Sequence, residues 1–300
     1  KYKFLLWRVA VNTIWSDYVQ NIGTLYFSRT LRFSDNYQDK YMRAFRIDNK
    51  MRILEIGCGP GALTQSLARW YPNSEVIGTD RDSAFIKFAM LQAPNIQFLE
   101  ADATALPFED HSFDVVISNT VQEHIEPSKF FGEQHRVLKK GGICLVLSAR
   151  RGINIMADCI SAQSSLEETI WKRVEKFYQK INHEYHVGQY AMSESELPST
   201  MEQYGCGQIS TDYLTINLTP DNPENSKELA YSMINAHRQT NLDAVNALIH
   251  IAPHMVSEEE ILEMHKYINK KYDQRINLYD AGKKQWDTSM SLTMVLRGIK

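Results

Sequence analysis

The stretch Glu55-Ile56-Gly57-Cys58-Gly59-Pro60-Gly61 decides the fold of this chain. It begins at the end of the apolar segment Arg52–Ile56, and a predicted helix over Ala62–Trp70 follows it. Glycines let a chain turn tightly and bring its backbone close to a ligand. A strand, a glycine-rich loop and a helix in succession therefore predict a ligand-binding turn in an α/β sheet.

The sequence around this loop alternates between predicted strands and helices. Short apolar runs bounded by turn residues predict strands, and helical apolar spacing predicts the segments between them. The strands are predicted at Arg52–Ile56, Glu75–Thr79, Ile96–Leu99, Phe113–Ile117, Ile143–Leu147, Gln208–Leu218 and Ser289–Leu296. Helices are predicted at Ala62–Trp70, Asp82–Gln92, Pro127–Leu138 and Glu194–Tyr204, and over most of 223–283. This alternation predicts a mostly parallel sheet with right-handed crossovers.

The glycine-rich loop alone allows two interpretations. Gly57, Gly59 and Ala62 fit the dinucleotide pattern G-x-G-x-x-G/A, with Asp80 about 20 residues on as a ribose acceptor. NAD binding is therefore one interpretation. Three further features favour another. Glu55 stands two residues before the first glycine. The third strand is followed by Glu100–Ala103 and then by Leu106–Phe108. Finally, Ser112–Val116 leads to Val121–Ile125, and Arg136–Gly142 precedes the fifth strand.

With these motifs the chain resembles the class I S-adenosylmethionine-dependent methyltransferases, of the small-molecule type found in quinone biosynthesis. The resemblance covers about residues 50–150 and extends to 190–219. It implies a Rossmann-like fold with a seven-stranded, mostly parallel sheet of strand order 3-2-1-4-5-7-6. Strand seven would be antiparallel and come from Ser289–Leu296.

The resemblance also implies which residues bind S-adenosylmethionine. The loop residues Gly57, Cys58, Gly59 and Gly61 would approach its methionine and ribose parts, and Asp80 would accept from the ribose hydroxyls. Arg81 would lie against the adenine, whose ring and amino group Ala103 and Asp102 would contact. Glu55 would orient the loop or the amino group of the methionine, while Asn119 and Thr120 would face the methionine end.

The candidate catalytic residues are Glu123 and His124, which come just beyond the fourth strand. Methyl transfer from a sulfonium needs mainly an acceptor held in line at about 3–3.5 Å and shielded from water. A base is needed only when the acceptor arrives protonated. His124 could then serve, because an unperturbed imidazole titrates near neutral pH, and a packing role is the alternative.

A single methyltransferase domain over 1–300 is predicted, with a core of about 45–150, 190–219 and 286–300. The remaining segments, about 1–44, 151–190 and 220–285, are predicted to form a helical cap that shapes the acceptor pocket. A homodimer interface built from the same helices is the alternative. The candidate substrate-binding residues in the cap are Tyr18, Tyr26, Tyr37, Tyr185 and His186.

The charge, the cysteine spacing and the hydropathy of the chain argue against several other functions. The net charge is −3 with no long basic run, which argues against a nucleic-acid partner. Cys58, Cys144, Cys159 and Cys206 form no zinc-binding pattern, so no metal site is predicted, and a reducing cytoplasm is the expected compartment. The sequence contains no uninterrupted apolar run of about 18 residues, so no membrane span is predicted. Two rival functions stay open: a catalytically silent protein that binds S-adenosylmethionine, and an NAD-dependent oxidoreductase.

Overall fold

A seven-stranded sheet forms the centre of the molecule. The computed structural model describes residues 15–16, 19–157 and 165–300. Its strands are β1 (Arg52–Ile56), β2 (Glu75–Asp80), β3 (Gln97–Glu100), β4 (Phe113–Asn119), β5 (Leu138–Ala157), β6 (Gly207–Leu218) and β7 (Thr288–Ile299). The sheet order is β3-β2-β1-β4-β5-β7-β6.

The helices of the described chain flank this sheet or extend beyond it. They are α1 (Ile22–Arg32), α2 (Gln38–Phe45), α3 (Ala62–Trp70), α4 (Ser83–Gln92), α5 (Pro127–Val137), α6 (Ser165–Glu184), α7 (Glu196–Gln203), α8 (Lys227–Ile251) and α9 (Glu258–Asp280). Short 3₁₀ turns lie at Asp35–Tyr37 and Gln122–His124. None of these helices has both the length and the apolar character needed to cross a bilayer.

The predicted strand order and the antiparallel direction of β7 are confirmed. The inner strands β1 and β4 pair in parallel, with Leu54 opposite Val116. Both side chains are fully buried, as expected for a strand covered by helices on both faces. Since the chain reverses its direction of winding between β1 and β4, their carboxyl ends border a crevice where ligands bind in open α/β sheets.

Strand β5 is longer than predicted. The sequence interpretation assigned 151–190 to the helical cap, yet residues 154–157 pair with β7, and Ala157 lies opposite Thr288. The register shifts between Ala149 and Asn154, which marks an irregularity in the strand. The strand continues past it because β7 supplies a partner more than a hundred residues away in the sequence.

Helices α6, α8 and α9 share an apolar core of their own. Its buried side chains include Ile170, Val174, Ile234, Val245, Leu248, Met264 and Ile268. Helix α9 begins with a capping box, in which Ser257 and Glu260 satisfy each other's backbone N–H groups. Helix α8 packs against α1, where the Thr24 backbone N–H and hydroxyl both donate to the carboxylate of Asp243.

A buried ion network ties the end of α9 to the chain before β7. The Arg275 guanidinium is fully buried and contacts Asp221 at 2.8 Å and Asp287 at 2.6 Å. Asp221 also accepts from the backbone N–H groups of Gln285 and Trp286. Removing the cation would leave buried carboxylates without their partner, so the network depends on Arg275.

Candidate active site

The cavity at the carboxyl ends of the strands is the candidate site. Its volume is about 580 Å³. The loop after β1, the end of β2, the turn after β3 and the segment after β4 form its floor. Helix α1 and residues 186–190 form other parts of its wall, so both the sheet and the added helical segments contribute.

The glycine-rich loop crosses the floor of this cavity. Gly57 has a φ of 69°, a left-handed conformation that side chains disfavour. A Cβ atom on Gly57 would also overlap the side chain of Val121. The Cys58 backbone N–H donates to the carbonyl of Thr79 at 2.9 Å, which fixes the loop against β2. The loop therefore lies close to the segment after β4 and exposes its backbone to the cavity.

Asp80, at the end of β2, joins two parts of the site. One carboxylate oxygen accepts from the Gly59 backbone N–H at 2.8 Å, and the other accepts from the Asp82 N–H at 2.9 Å. Each oxygen keeps a lone pair for a ligand hydroxyl. Burial raises the pKa of Asp80 to about 6, although both hydrogen bonds favour the charged form. Asp80 is thus both a loop anchor and a ligand acceptor.

Glu55 lies beneath the loop and is almost fully buried. Its carboxylate accepts from the Thr64 hydroxyl on α3. Burial raises the pKa of Glu55 to about 7, and the nearby charge of Asp80 acts in the same direction. A second acidic group with an elevated pKa therefore borders the cavity.

Asp102 and Arg81 also line the cavity. One oxygen of Asp102 accepts from the Thr104 backbone N–H and hydroxyl, each at 2.8 Å, and these bonds lower its pKa. The Arg81 guanidinium carbon lies 5.3 Å from the centre of the Trp15 ring. The Ser16 N–H donates to Asp82 at 3.0 Å, which fixes Ser16 against the chain after β2.

The wall segment fixes which ring nitrogen of His124 accepts a hydrogen bond. Its Nδ1 atom lies 2.9 Å from the Gly188 backbone nitrogen, which can only donate. Nδ1 must therefore be the acceptor, and in the neutral ring the proton is on Nε2. Nε2 lies 3.6 Å from a Glu123 oxygen, and the ring packs edge-on against Trp15. Nδ1 is therefore engaged as an acceptor, and the role of His124 as a general base stays a prediction.

The structure brings nearly all predicted cofactor-binding residues to this one cavity. They are Glu55, Gly57, Cys58, Gly59, Asp80, Arg81, Asp102, Ala103, Asn119 and Thr120. The exception is Gly61, which begins α3 with a φ of 86° and packs against Ala89 and Phe98. The candidate catalytic residues Glu123 and His124 line the cavity too.

Three of the predicted substrate-binding tyrosines, Tyr26, Tyr37 and Tyr185, do not line the cavity. Of the five cap residues, His186 lines the cavity, Tyr185 does not, and Tyr18 is outside the described residues. Tyr26 turns away from the cavity and contacts Gln65 and Phe88. Tyr37 donates its hydroxyl to the Asn217 carbonyl and packs against the sheet core. The helix face that points into the cavity explains why Tyr26 does not line it. On α1 that face carries Leu25 and Arg29, and Phe33, directly after the helix, lines the cavity as well.

Sequence reasoning missed several lining residues. They include Trp15, Arg29, Phe33, Lys129 and Tyr190. For α1 a signal existed, because Leu25, Arg29 and Phe33 are spaced four apart and share one helix face. The expected contribution of 220–285 is not seen, since no described residue of this range lines the cavity. Helix α8 instead packs against α1. Among the described residues, no group of three His, Cys, Asp or Glu side chains could hold a metal ion.

Comparison with known proteins identifies a methyltransferase domain family that matches residues 54–146. A demethylmenaquinone methyltransferase of Chlorobaculum tepidum is 35% identical over 101 residues, covering 33% of this chain and 41% of that protein. One of Thermus thermophilus is 39% identical over 101 residues, covering 32% of this chain and 46% of that protein. The chain thus spans less than half the length of these relatives.

Solved structures share the fold over a longer stretch. A phosphoethanolamine N-methyltransferase 2 of Haemonchus contortus, in complex with S-adenosyl-L-methionine, covers 95% of this chain with a TM-score of 0.52. This chain covers 59% of that protein at 16% sequence identity. At this identity the similarity concerns the fold.

Proposed function

We propose that this chain is a class I S-adenosylmethionine-dependent methyltransferase, which binds S-adenosylmethionine in the cavity and transfers its methyl group to a small molecule. The observation that carries the proposal is that Glu55, the Gly57–Gly59 backbone, Asp80 and Asp102 all line one cavity. These groups lie at the point of the sheet where α/β folds bind ligands.

The polar groups of the cavity match the parts of this cofactor. Asp80 keeps a lone pair on each oxygen for the two ribose hydroxyls. Asp102 and the Ala103 backbone suit the adenine, which has both donors and an acceptor on its edge. The carboxyl group of Glu55 suits the ammonium of the methionine, which would favour its charged form.

The chemistry requires position more than reactive side chains. In the proposed reaction the acceptor would attack the sulfonium methyl in line, its new bond to carbon forming as the carbon–sulfur bond breaks, and S-adenosylhomocysteine would be the leaving group. Holding both molecules in a dehydrated site supplies most of the rate gain. Glu123 is almost fully buried beside this site and is our candidate for accepting a proton from the substrate, since His124 is engaged with Gly188.

The size of the site supports a small acceptor. A cavity of about 580 Å³ lies within the range of about 300–1,000 Å³ that small-ligand sites occupy. Residues of α1 and of 186–190 line the cavity, whereas no described residue of 220–285 does, so we propose that the first two segments, not 220–285, contribute to the choice of acceptor.

Two measurements test the proposal. Calorimetry should show S-adenosylhomocysteine binding in the micromolar range, roughly −8 kcal/mol, and no NAD binding. Tight binding of NAD without S-adenosylhomocysteine would refute the cofactor assignment. Methyl-labelled S-adenosylmethionine should then label a component of a small-metabolite extract. Cofactor binding without any labelled product, across extracts of varied chemistry, would favour the catalytically silent alternative.

A further inference from the structure

Helix α1, which forms part of the cavity wall, begins with a turn that two side chains cap. Asn21 directly precedes the helix, and its side-chain oxygen accepts from the Gly23 backbone N–H at 2.9 Å. The Thr24 backbone N–H donates at 3.0 Å to Asp243, which lies on α8 and 219 positions further along the chain. The first N–H groups of a helix have no partner within the helix. The cap of α1 is therefore shared between an adjacent residue and a distant helix.

Asp243 is a buried carboxylate that is held in its charged form by this contact. One oxygen accepts from both the N–H and the hydroxyl of Thr24, and the other accepts from the Gln239 side-chain amide at 2.7 Å. Burial raises the pKa of Asp243, and the hydrogen bonds from Thr24 and Gln239 act against that rise. The first turn of α1 contains no acidic residue of its own, so Asp243 supplies the negative charge that the start of a helix favours.

The capped turn adjoins a residue that faces the cavity. Leu25 directly follows Thr24, lines the cavity, and lies 3.2 Å from the position that a Cβ atom on Gly59 would take. The far end of α1 is fixed separately, because the Ser66 hydroxyl on α3 donates to the Phe33 carbonyl at 2.7 Å. Loss of the Asp243 contact would therefore free the first turn while the far end stays attached. Leu25 would then move relative to the glycine-rich loop.

We propose that Asp243 is a positioning residue of the candidate site, which holds the first turn of α1 against the glycine-rich loop and thereby sets the affinity for the cofactor. The inference rests on the proposed function. It gives the segment 220–285 a part in binding, although no described residue of this range lines the cavity. Helix α8 would act on the ligand through α1, since a rigid helix can couple groups that do not touch each other.

The first test removes the carboxylate and follows α1 directly. Asp243→Leu leaves a side chain of similar size without an acceptor. In the ligand-free protein, the Thr24 amide should exchange with solvent at least about tenfold faster in this variant, as measured by hydrogen exchange. Calorimetry should show S-adenosylhomocysteine binding that is weaker by about fivefold or more.

Asn241→Leu is the matched control. Asn241 also lies on α8, but its side-chain amide donates to the Tyr272 hydroxyl on α9 at 2.7 Å. Its replacement should lower the melting temperature by loosening α8 from α9. The exchange rate of the Thr24 amide and the affinity for S-adenosylhomocysteine should each stay within about twofold of those of the unaltered protein.

Conservative variants separate the contact from its charge. Asp243→Asn keeps an oxygen for Thr24 if the Gln239 amide turns its own oxygen toward the new NH₂ group. Its affinity should stay within about threefold of the unaltered protein, because only the charge at the helix end is lost. Thr24→Val removes the hydroxyl and should weaken binding, and Thr24→Ser should restore it. Melting curves establish that each variant is folded, and Thr24→Val takes the place of Asp243→Leu if the latter is not.

Four results would overturn the inference. Unchanged affinity in folded Asp243→Leu would mean that Asp243 only stabilises the packing of α8. An equal loss of affinity in Asn241→Leu would mean that any loosening of these helices weakens binding. A loss of affinity without faster exchange of Thr24 would mean that α1 does not transmit the effect. Binding by Thr24→Ser as weak as that by Thr24→Val would exclude the hydroxyl. If the unaltered protein does not bind S-adenosylhomocysteine, the proposed function itself fails, and this inference fails with it.

Discussion

Replacing Asp80 with asparagine tests the proposed cofactor site at its centre. The amide keeps the shape of the carboxylate but turns one acceptor oxygen into an NH₂ donor. Asp80 contacts two backbone N–H groups, those of Gly59 and Asp82, so in the variant one N–H must face another donor. That loss is present with and without ligand, and it should appear as a lower melting temperature, not as a lower affinity.

The loss of affinity comes from the ribose side. A hydrogen bond to a charged group contributes about 1.5–3 kcal/mol. Losing one such bond corresponds to binding that is about 10- to 100-fold weaker. Calorimetric titration of S-adenosylhomocysteine into folded Asp80→Asn measures it. An affinity equal to that of the unaltered protein would show that Asp80 is only a loop anchor.

The elevated pKa values add a pH dependence to this prediction. With a pKa of about 6, the Asp80 carboxyl is ionised to only about one part in eleven at pH 5. If the ribose needs the charged form, binding should be about tenfold weaker at pH 5 than at pH 7.5. Glu55, with its pKa of about 7, contributes in the same direction, and Glu55→Gln isolates the Asp80 component. A flat profile in that variant would refute the reasoning.

The ligand-free protein should respond to pH in the opposite sense. Burial raises both pKa values above their usual range near 4, so between about pH 4 and 7 the folded protein holds more protons than the unfolded chain. Its stability from Asp80 and Glu55 therefore increases as the pH falls through that window. Thermal melts should show a smaller rise in Tm from S-adenosylhomocysteine at pH 5 than at pH 7.5.

Two further predictions concern the fold that supports the site. Gly57→Ala should destabilise the protein by at least about 1–2 kcal/mol and weaken cofactor binding, because Gly57 has a left-handed backbone and lies against Val121. The control is Gly132→Ala in α5, where the added methyl group meets open space. It should leave the stability unchanged or raise it in the same denaturant titration. Arg275→Met should cost about 3–5 kcal/mol in denaturant titration, against about 0–1 kcal/mol for Arg69→Met in an exposed pair, and equal losses would contradict the buried network.

The sequence was sufficient for those parts of the fold that local pattern determines. The strand at Arg52–Ile56 and the helix at Ala62–Trp70 were predicted with the bounds that the structure gives, because apolar periodicity and turn residues mark both. The extension of β5 to Ala157 could not be predicted this way. It depends on pairing with Thr288–Ser291, and no short-range signal reports a partner so far along the chain.

Some residues of the candidate site could also be predicted from local sequence patterns, and others could not. Asp80 and Asp102 follow strands at fixed spacing, so motif reasoning placed them at the cavity. The direction of a helix face cannot be read from aromatic content, which is why Tyr26 and Tyr37 were assigned to the pocket and lie elsewhere. The engagement of His124 depends on Gly188, and this contact joins residues 64 positions apart.

The carboxyl groups that line the cavity share the direction of their pKa shifts. Glu55 and Asp80 both have raised pKa values, because burial disfavours their charged forms. An ammonium beside Glu55 and hydroxyls on Asp80 would each stabilise the charged form instead. In the proposed complex one ligand therefore reverses both shifts. A ligand such as methylthioadenosine, which lacks the amino-acid part, would reverse only that of Asp80, and its binding should depend on pH through Asp80 alone.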